Sequence, residues 1–281
     1  MPEGDTLRRV ASRLRPALEG QALVRFEAPR LSGETPAAGE VIESVEARGK
    51  HLLVHFAGGL SLRTHLRMTG SWHLFRVGER WQRPRSQARV LLEAANGWLA
   101  VCFNAPEVET YRRTDATAVP GALAALGPDL CDAAPDLDAV LARLTTLPPD
   151  TEVGDALLNQ RVASGIGNVY KSESAWAVRL DPFTRLGDLG PDARRALYAA
   201  AHRLLRANVG GGSRVTHPGG VAVYGRSGRP CPRCGALVKV RRQGVHARST
   251  YWCPGCQVRP TPSAAPAGSP GNSREGGLDG R

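Results

Sequence analysis

The sequence predicts a multidomain α+β chain: a β-sandwich or barrel with one helix at its N-terminus, then a helical region, then a small four-cysteine hairpin. Three observations predict it. Short alternating runs fill roughly 20–115, helical periods begin near 137, and two Cys-x2-Cys pairs lie close to the end. At 281 residues the chain has room for roughly two domains and a sizeable core, which excludes a disulfide mini-protein.

The elements follow in order. Thr6–Leu18 repeats Leu7, Val10, Leu14 and Leu18 at a helical period, with Asp5 as the expected N-cap. The runs ALVRFEA, VIESVEA, HLLVHFA, LSLRTHL, ARVLLEA and WLAVCF are separated by turn residues, including Gly58-Gly59 and Asn96-Gly97. That spacing describes antiparallel strands, and the alternating helices of an α/β domain are missing. Thr114–Pro135, rich in small residues and prolines, reads as a linker. Helices are expected at Leu137–Leu144, Thr151–Asn159, Gly167–Val178 and Pro191–Asn208, the last with Pro191 in its first turn. Pro260–Arg281 is mostly Pro, Gly, Ser and Ala and is expected to be disordered. The resulting division is 2–118, 119–225, 226–259 and a tail at 260–281.

Charge narrows the function. Lys plus Arg is 37 and Asp plus Glu is 26, a net of +11, which favours a polyanion or an anionic membrane surface as partner. No apolar run approaches the about 18 residues that spanning a bilayer needs. The opening MPEGDTLRR has no apolar stretch after it, so a cytoplasmic protein without a signal peptide is expected. Only Lys50, Lys171 and Lys239 are lysines. Arginine cannot act as an amine nucleophile, so Schiff-base chemistry is confined to those three or to the N-terminal amine.

Cys231-Pro-Arg-Cys234, 18 residues, then Cys253-Pro-Gly-Cys256 is the spacing of a four-thiolate structural zinc (Zn2+) site. Such a site is closed to water, which argues against a zinc hydrolase. Between the pairs, two β-like runs around Gln243-Gly244 predict a hairpin, and Lys239, Arg241, Arg242 and Arg248 suit it to phosphates, with a solvated zinc ribbon as the other reading. Cys102 and Cys131 stand apart and read as buried, inert thiols. In Gln160–Lys171, Gly165 and Gly167 permit a tight turn whose amides bind a phosphate at a helix N-terminus, with Asn168 adding a side-chain donor; a plain helix connection is the alternative. Proline at position 2 is small, so loss of the initiator methionine is expected, exposing a secondary amine with an intrinsic pKa of about 8. A helix starting just after it lowers that value, and Glu3 beside it can shuttle protons.

Pro2-Glu3-Gly4-Asp5, Gly49-Lys50, the Gly165–Lys171 turn and Arg248-Ser-Thr-Tyr-Trp-Cys253 together resemble the formamidopyrimidine-DNA glycosylase and endonuclease VIII family, over about residues 2–258. The resemblance implies an N-terminal β-sandwich, a helix-two-turn-helix domain and a zinc finger gripping DNA between them. It implies that Pro2 is the nucleophile that attacks C1′ and that Glu3 is the general acid and base. Lys50 then contacts phosphate near the lesion and assists the chemistry, while Asn168 and Arg248 pinch the phosphates flanking a flipped nucleotide. Met68, in His65-Leu-Arg-Met-Thr-Gly70, resembles the intercalating position, with a core methionine as the other reading.

Thr6 stands where the family carries a second acid, and Asn104–Arg113 lacks the Asp-Pro-Arg-Arg-Phe-Gly segment of the formamidopyrimidine branch. The loop that caps an oxidised purine is also missing between Gly219 and Tyr224. These features imply the endonuclease VIII branch. The expected function is a bifunctional glycosylase and apurinic/apyrimidinic lyase. It would act as a monomer on double-stranded DNA with oxidised bases, pyrimidines foremost, or abasic sites, at the bacterial nucleoid. The alternative is a non-catalytic protein that binds damaged DNA or other nucleic acid.

Overall fold

The computed structural model describes residues 2–259. The expected loss of Met1 and the expected disorder of 260–281 lie outside those residues. Helix α1 spans Gly4–Leu18 and buries Leu7, Ala11, Leu14 and Leu18. It starts two residues earlier than its apolar period indicates, which corrects the expected cap. Glu3 occupies the N-cap position, and Asp5 lies inside the first turn, where its carboxylate pairs with Arg9 and Arg214.

The six alternating runs become strands β1 (Leu23–Glu27), β2 (Ile42–Arg48), β3 (His51–Phe56), β4 (Leu60–His65), β6 (Ala88–Ala94) and β7 (Trp98–Phe103). Two further strands, β5 (Ser71–Arg76) and β8 (Glu107–Arg112), lie outside those runs. Glu107 and Glu109 interrupt the apolar signal of β8. The strands form two antiparallel four-stranded sheets, ordered β1-β6-β7-β5 and β2-β3-β4-β8. Val45, Leu52, Val54, Leu62, Val90, Leu92 and Ala100 share one core with α1. Burying such apolar side chains contributes about 1.5–3 kcal/mol each for the larger ones.

β3 is buried along its whole length, so its second face is covered as well. The stretch read as a linker supplies part of the cover. It contains helix α2 (Gly121–Ala124), and Leu123 and Leu126 pack on Leu53 and Tyr111. Small residues hid that role, because the apolar positions are spaced too widely to form a period.

The remaining helices are α3 (Leu137–Leu144), α4 (Val153–Leu158), α5 (Asn168–Ala177) and α6 (Pro191–Ala207). Asp136 caps α3 by accepting from the Ala139 amide at 2.8 Å, and Pro191 opens α6 as expected. Val140, Leu157, Ile166, Tyr170, Leu197 and Tyr198 form a second core. Strands β9 (Lys239–Gln243) and β10 (Arg248–Trp252) pair as the expected hairpin, with Gln243 opposite Arg248. Buried Lys171 on α5 donates to Thr250 Oγ1 on β10 at 2.6 Å, which ties the hairpin to the helices. Cys102 and Cys131 are both buried, and burial raises both thiols above their ordinary range. No helix among the described residues is long and apolar enough to cross a membrane.

Candidate active site

The site begins at the N-terminus of α5. Glu3 Oε2 accepts from the amides of Gly167 at 2.8 Å and Tyr170 at 3.3 Å, and Oε1 accepts from Val169 at 2.9 Å. A helix N-terminus favours an anion through its unpaired amides and its dipole. Here the anion is the chain's own Glu3, which corrects the expectation of an open phosphate cradle. Gly165 is engaged elsewhere: its amide donates to Gln160 Oε1 at 3.1 Å and its carbonyl accepts from the Gly4 amide at 2.9 Å. Glycine at 167 is a steric requirement, since a Cβ there would stand 2.4 Å from Glu3 Cδ. Glu3 is wholly buried. Burial raises its pKa, while Arg214, Lys50 and the amides of Val169 and Tyr170 oppose the shift.

Lys50 follows the left-handed Gly49 in the β2–β3 turn, where φ is +58°. The Gly49 amide donates to Asp129 Oδ2 at 2.9 Å, so the turn is fixed to the helical part of the chain. Burial brings the Lys50 ammonium down to about 8, with Glu3 opposing the shift and Arg248 reinforcing it.

A cleft of about 860 Å³ collects the expected residues. Pro2, Lys50, Met68, Gly167, Asn168 and Arg248 all line it. Glu3 and Gly165 lie behind its wall. Met68 is 61% exposed, which excludes the core-methionine reading. Asn168 is buried, and its Oδ1 has no partner among the described residues. Lys239, Arg241 and Arg242 are absent from the cleft wall, and Arg241 stacks over Phe183 at 3.7 Å instead.

Sequence reasoning missed a polar cluster on the same wall. Arg63 donates through Nε to His51 Nδ1 at 3.0 Å and pairs with Glu107 at 2.9 Å and with Glu109. Arg67 donates to Glu107 Oε1 at 2.7 Å. Burial and neighbouring cations hold His51 down to about 2 and His65 to about 4, so both are neutral at ordinary pH. The available signal was Arg63 and two histidines within otherwise apolar strands. A second missed element is Arg214, which grips Asp5 through two bonds of 2.8 and 2.7 Å and donates to Thr6 Oγ1 at 2.8 Å. Nothing in its glycine-rich surroundings marked it. A third is Glu173, whose carboxylate takes the amides of Ala222, Val223 and Tyr224 at 2.7–2.8 Å and pins the short Gly219–Tyr224 segment.

The Sγ atoms of Cys231, Cys234, Cys253 and Cys256 all lie within 4.8 Å of one another. Tetrahedral thiolate ligation at about 2.3 Å places sulfurs about 3.8 Å apart, so the cluster fits a four-coordinate metal ion. Trp176 Nε1 donates to Cys231 Sγ at 3.4 Å and Arg233 to Cys256 Sγ at 3.6 Å, donors suited to thiolates.

Comparison with known proteins decides the family. The chain matches the N-terminal domain of formamidopyrimidine-DNA glycosylase over residues 1–106 and its H2TH domain over 126–218. The chain belongs to this glycosylase family. It is 41% identical to "Probable endonuclease 8 2" of Streptomyces coelicolor, over 93% of this chain and 96% of the relative. It is 38% identical to "DNA-(apurinic or apyrimidinic site) lyase Nei2" of Mycolicibacterium smegmatis, over 92% and 99%. The solved MutM (Fpg) protein of Thermus thermophilus superposes with a TM-score of 0.75 at 31% identity, over 92% of this chain and all of that one. The glycosylase fold of that family, with its sandwich, H2TH domain and four-cysteine hairpin, is therefore the fold of this chain.

Proposed function

We propose that the protein is a DNA glycosylase and apurinic/apyrimidinic lyase of base excision repair, bifunctional through its N-terminal proline and directed mainly at oxidised pyrimidines. The observation that carries this reading is one cleft lined by Pro2, Lys50, Asn168 and Arg248, with the Glu3 carboxylate seated on α5 directly behind Pro2 in sequence. Relatives named as endonuclease 8 and as a lyase support the same class of reaction.

With Met1 removed, the Pro2 nitrogen attacks C1′, the C1′–N bond breaks, and the base leaves with a proton. The C1′–O4′ bond opens as Glu3, whose pKa burial raises, delivers a proton to O4′. The resulting Pro2–C1′ iminium acidifies the 2′ proton. Its removal expels the 3′ phosphate, and a second elimination expels the 5′ phosphate.

Reaching C1′ requires the nucleotide to leave the stack, at about a few kcal/mol. Lys50, Asn168 and Arg248 offset that by gripping the flanking phosphates, and Met68 enters the vacated space. The four cysteines hold Zn2+, which fixes the hairpin carrying Arg248 and takes no part in the reaction. Pinned by Glu173, the short Gly219–Tyr224 segment leaves no long cap for an oxidised purine, which favours pyrimidines. The protein works as a monomer on double-stranded DNA in the bacterial cytoplasm.

Duplexes carrying thymine glycol, 5-hydroxycytosine, 8-oxoguanine or an abasic site test the proposal. Incision of the abasic and oxidised-pyrimidine duplexes, leaving phosphate at both ends of the gap, is expected. Binding to all four without incision would overturn it in favour of a non-catalytic damaged-DNA binding protein.

A further inference from the structure

Outside the cleft, the β5–β6 loop from Val77 to Gln87 covers the outer face of the β1-β6-β7-β5 sheet. Phe75, Leu91, Leu99, Val101 and Phe103 form a separate apolar cluster there, with Trp81 packed on Phe75 and Phe103 at 6.0 and 5.7 Å. From Arg76 to Arg89 the chain carries five arginines against one acid, Glu79. Arg85 is neutralised by Glu27. Arg80 and Arg83 are exposed and form no ion pair among the described residues. Exposed Arg13 of α1 is equally unpaired among them, and Arg83 stands over the Phe103 ring at 5.9 Å. His73 between them registers the local field: burial lowers its pKa first, and Arg83 and Arg13 lower it further.

This basic loop is joined to the turn that carries Met68. The Asn104 amide donates to the Gln87 carbonyl at 2.9 Å and its side chain donates to Gln87 Oε1 at 3.1 Å. Thr69, next to Met68, donates to the Asn104 carbonyl at 3.4 Å. The C-terminal end of the basic loop is therefore tied to the turn that carries Met68 on the cleft wall.

We propose that this loop is a second DNA contact, in which Arg80, Arg83 and Arg13 neutralise backbone phosphates of the duplex flanking the lesion beyond Met68. The inference rests on the cleft being a DNA interface. The contact is independent of base sequence, lengthens the footprint, and leaves the chemistry at Pro2 untouched.

The test compares the parent with R80E/R83E and R80K/R83K on undamaged duplexes of about 25 and about 9 base pairs, following affinity against salt. On the longer duplex the charge-reversed variant is expected to bind about tenfold more weakly or worse, with a log–log salt slope shallower by about 1.8, two phosphates at about 0.9 each. The lysine variant keeps the parent slope, and all three bind the shorter duplex alike. Identical slopes and affinities on the longer duplex would overturn the proposal. Incision of an abasic site in the shorter duplex is read in parallel. Its failure in all three proteins would overturn the catalytic reading, while a slope difference would still support the loop as a contact.

Discussion

Glu3 and Gly167 are 164 residues apart, yet the Glu3 carboxylate oxygen sits 2.8 Å from the Gly167 amide. The first turn of the chain is thereby docked on the helix whose preceding loop borders the cleft. The dipole and amides of α5 favour the ionised carboxylate, burial favours the neutral acid, and burial prevails. Gly167→Ala cannot keep this seat, because the added Cβ would overlap Glu3. Incision of abasic DNA by that variant is expected to fall by about 10²-fold, the usual effect of misplacing a reacting group by about 1 Å. Glu3→Gln keeps the size but loses the ionisable proton and sets an NH2 donor against α5 amides that an oxygen had accepted from. Its circular-dichroism spectrum should keep the parent shape with a lower Tm, while base excision drops by about 10²–10⁴-fold.

Arg214 grips Asp5 through two guanidinium nitrogens beside the site. Asp5 is fully buried, and although burial pushes its pKa up, the bonds from Arg214 and the charge of Arg9 bring the balance below the ordinary value. Arg214→Met leaves that buried carboxylate with Arg9 as its remaining cation and should destabilise the fold by up to about 3 kcal/mol in urea denaturation at neutral pH, with Asp5→Asn restoring part of the loss. A depressed carboxylate stabilises above its unfolded pKa of about 3.9, and the contribution is lost as pH falls through the folded value. The parent therefore loses this contribution on acidification, and the R214M/D5N pair does not.

In the proposed phosphate grip, Lys50 sets an alkaline limit. Its ammonium, held near about 8 by burial, grips phosphate only when protonated. The Pro2 amine must instead be unprotonated to attack. The rate on abasic DNA should rise with pH as Pro2 loses its proton and fall above about 8 as Lys50 does. In Lys50→Arg the descending limb should disappear below pH about 10, because a guanidinium stays charged. An unchanged descending limb would remove Lys50 from the phosphate grip.

Much of this site was legible in local sequence, and what failed was long-range. The Cys231–Cys256 spacing states its own geometry, because each pair lies within one tight turn. Gly49-Lys50 is equally local. The α5 N-terminus was identified as an anion seat, but its occupant arrives from 164 residues away, which no periodicity encodes. Asp5 looked like a cap for the same reason, since its partner Arg214 is 209 residues distant. β8 escaped because Glu107 and Glu109 serve the cleft cluster with Arg63 and Arg67 and so dilute its apolar pattern.

The metal prediction concerns structure. Purified protein should carry about one zinc per chain by elemental analysis. Chelation should speed amide hydrogen exchange in β9, β10 and around Lys171, and weaken DNA binding in step with zinc loss. Loss of incision while binding and exchange protection persist would instead give the metal a direct chemical role.

The most direct measurement of the central claim is borohydride reduction of the protein on duplex DNA with an abasic site, followed by peptide mapping of the adduct. The account predicts a covalent adduct at the residue 2 nitrogen, abolished when that amine is blocked by retained Met1 or by acetylation, and retained when Lys171 is replaced by Arg. An adduct on Lys50 or Lys171 would contradict it, as would DNA binding with no adduct at all.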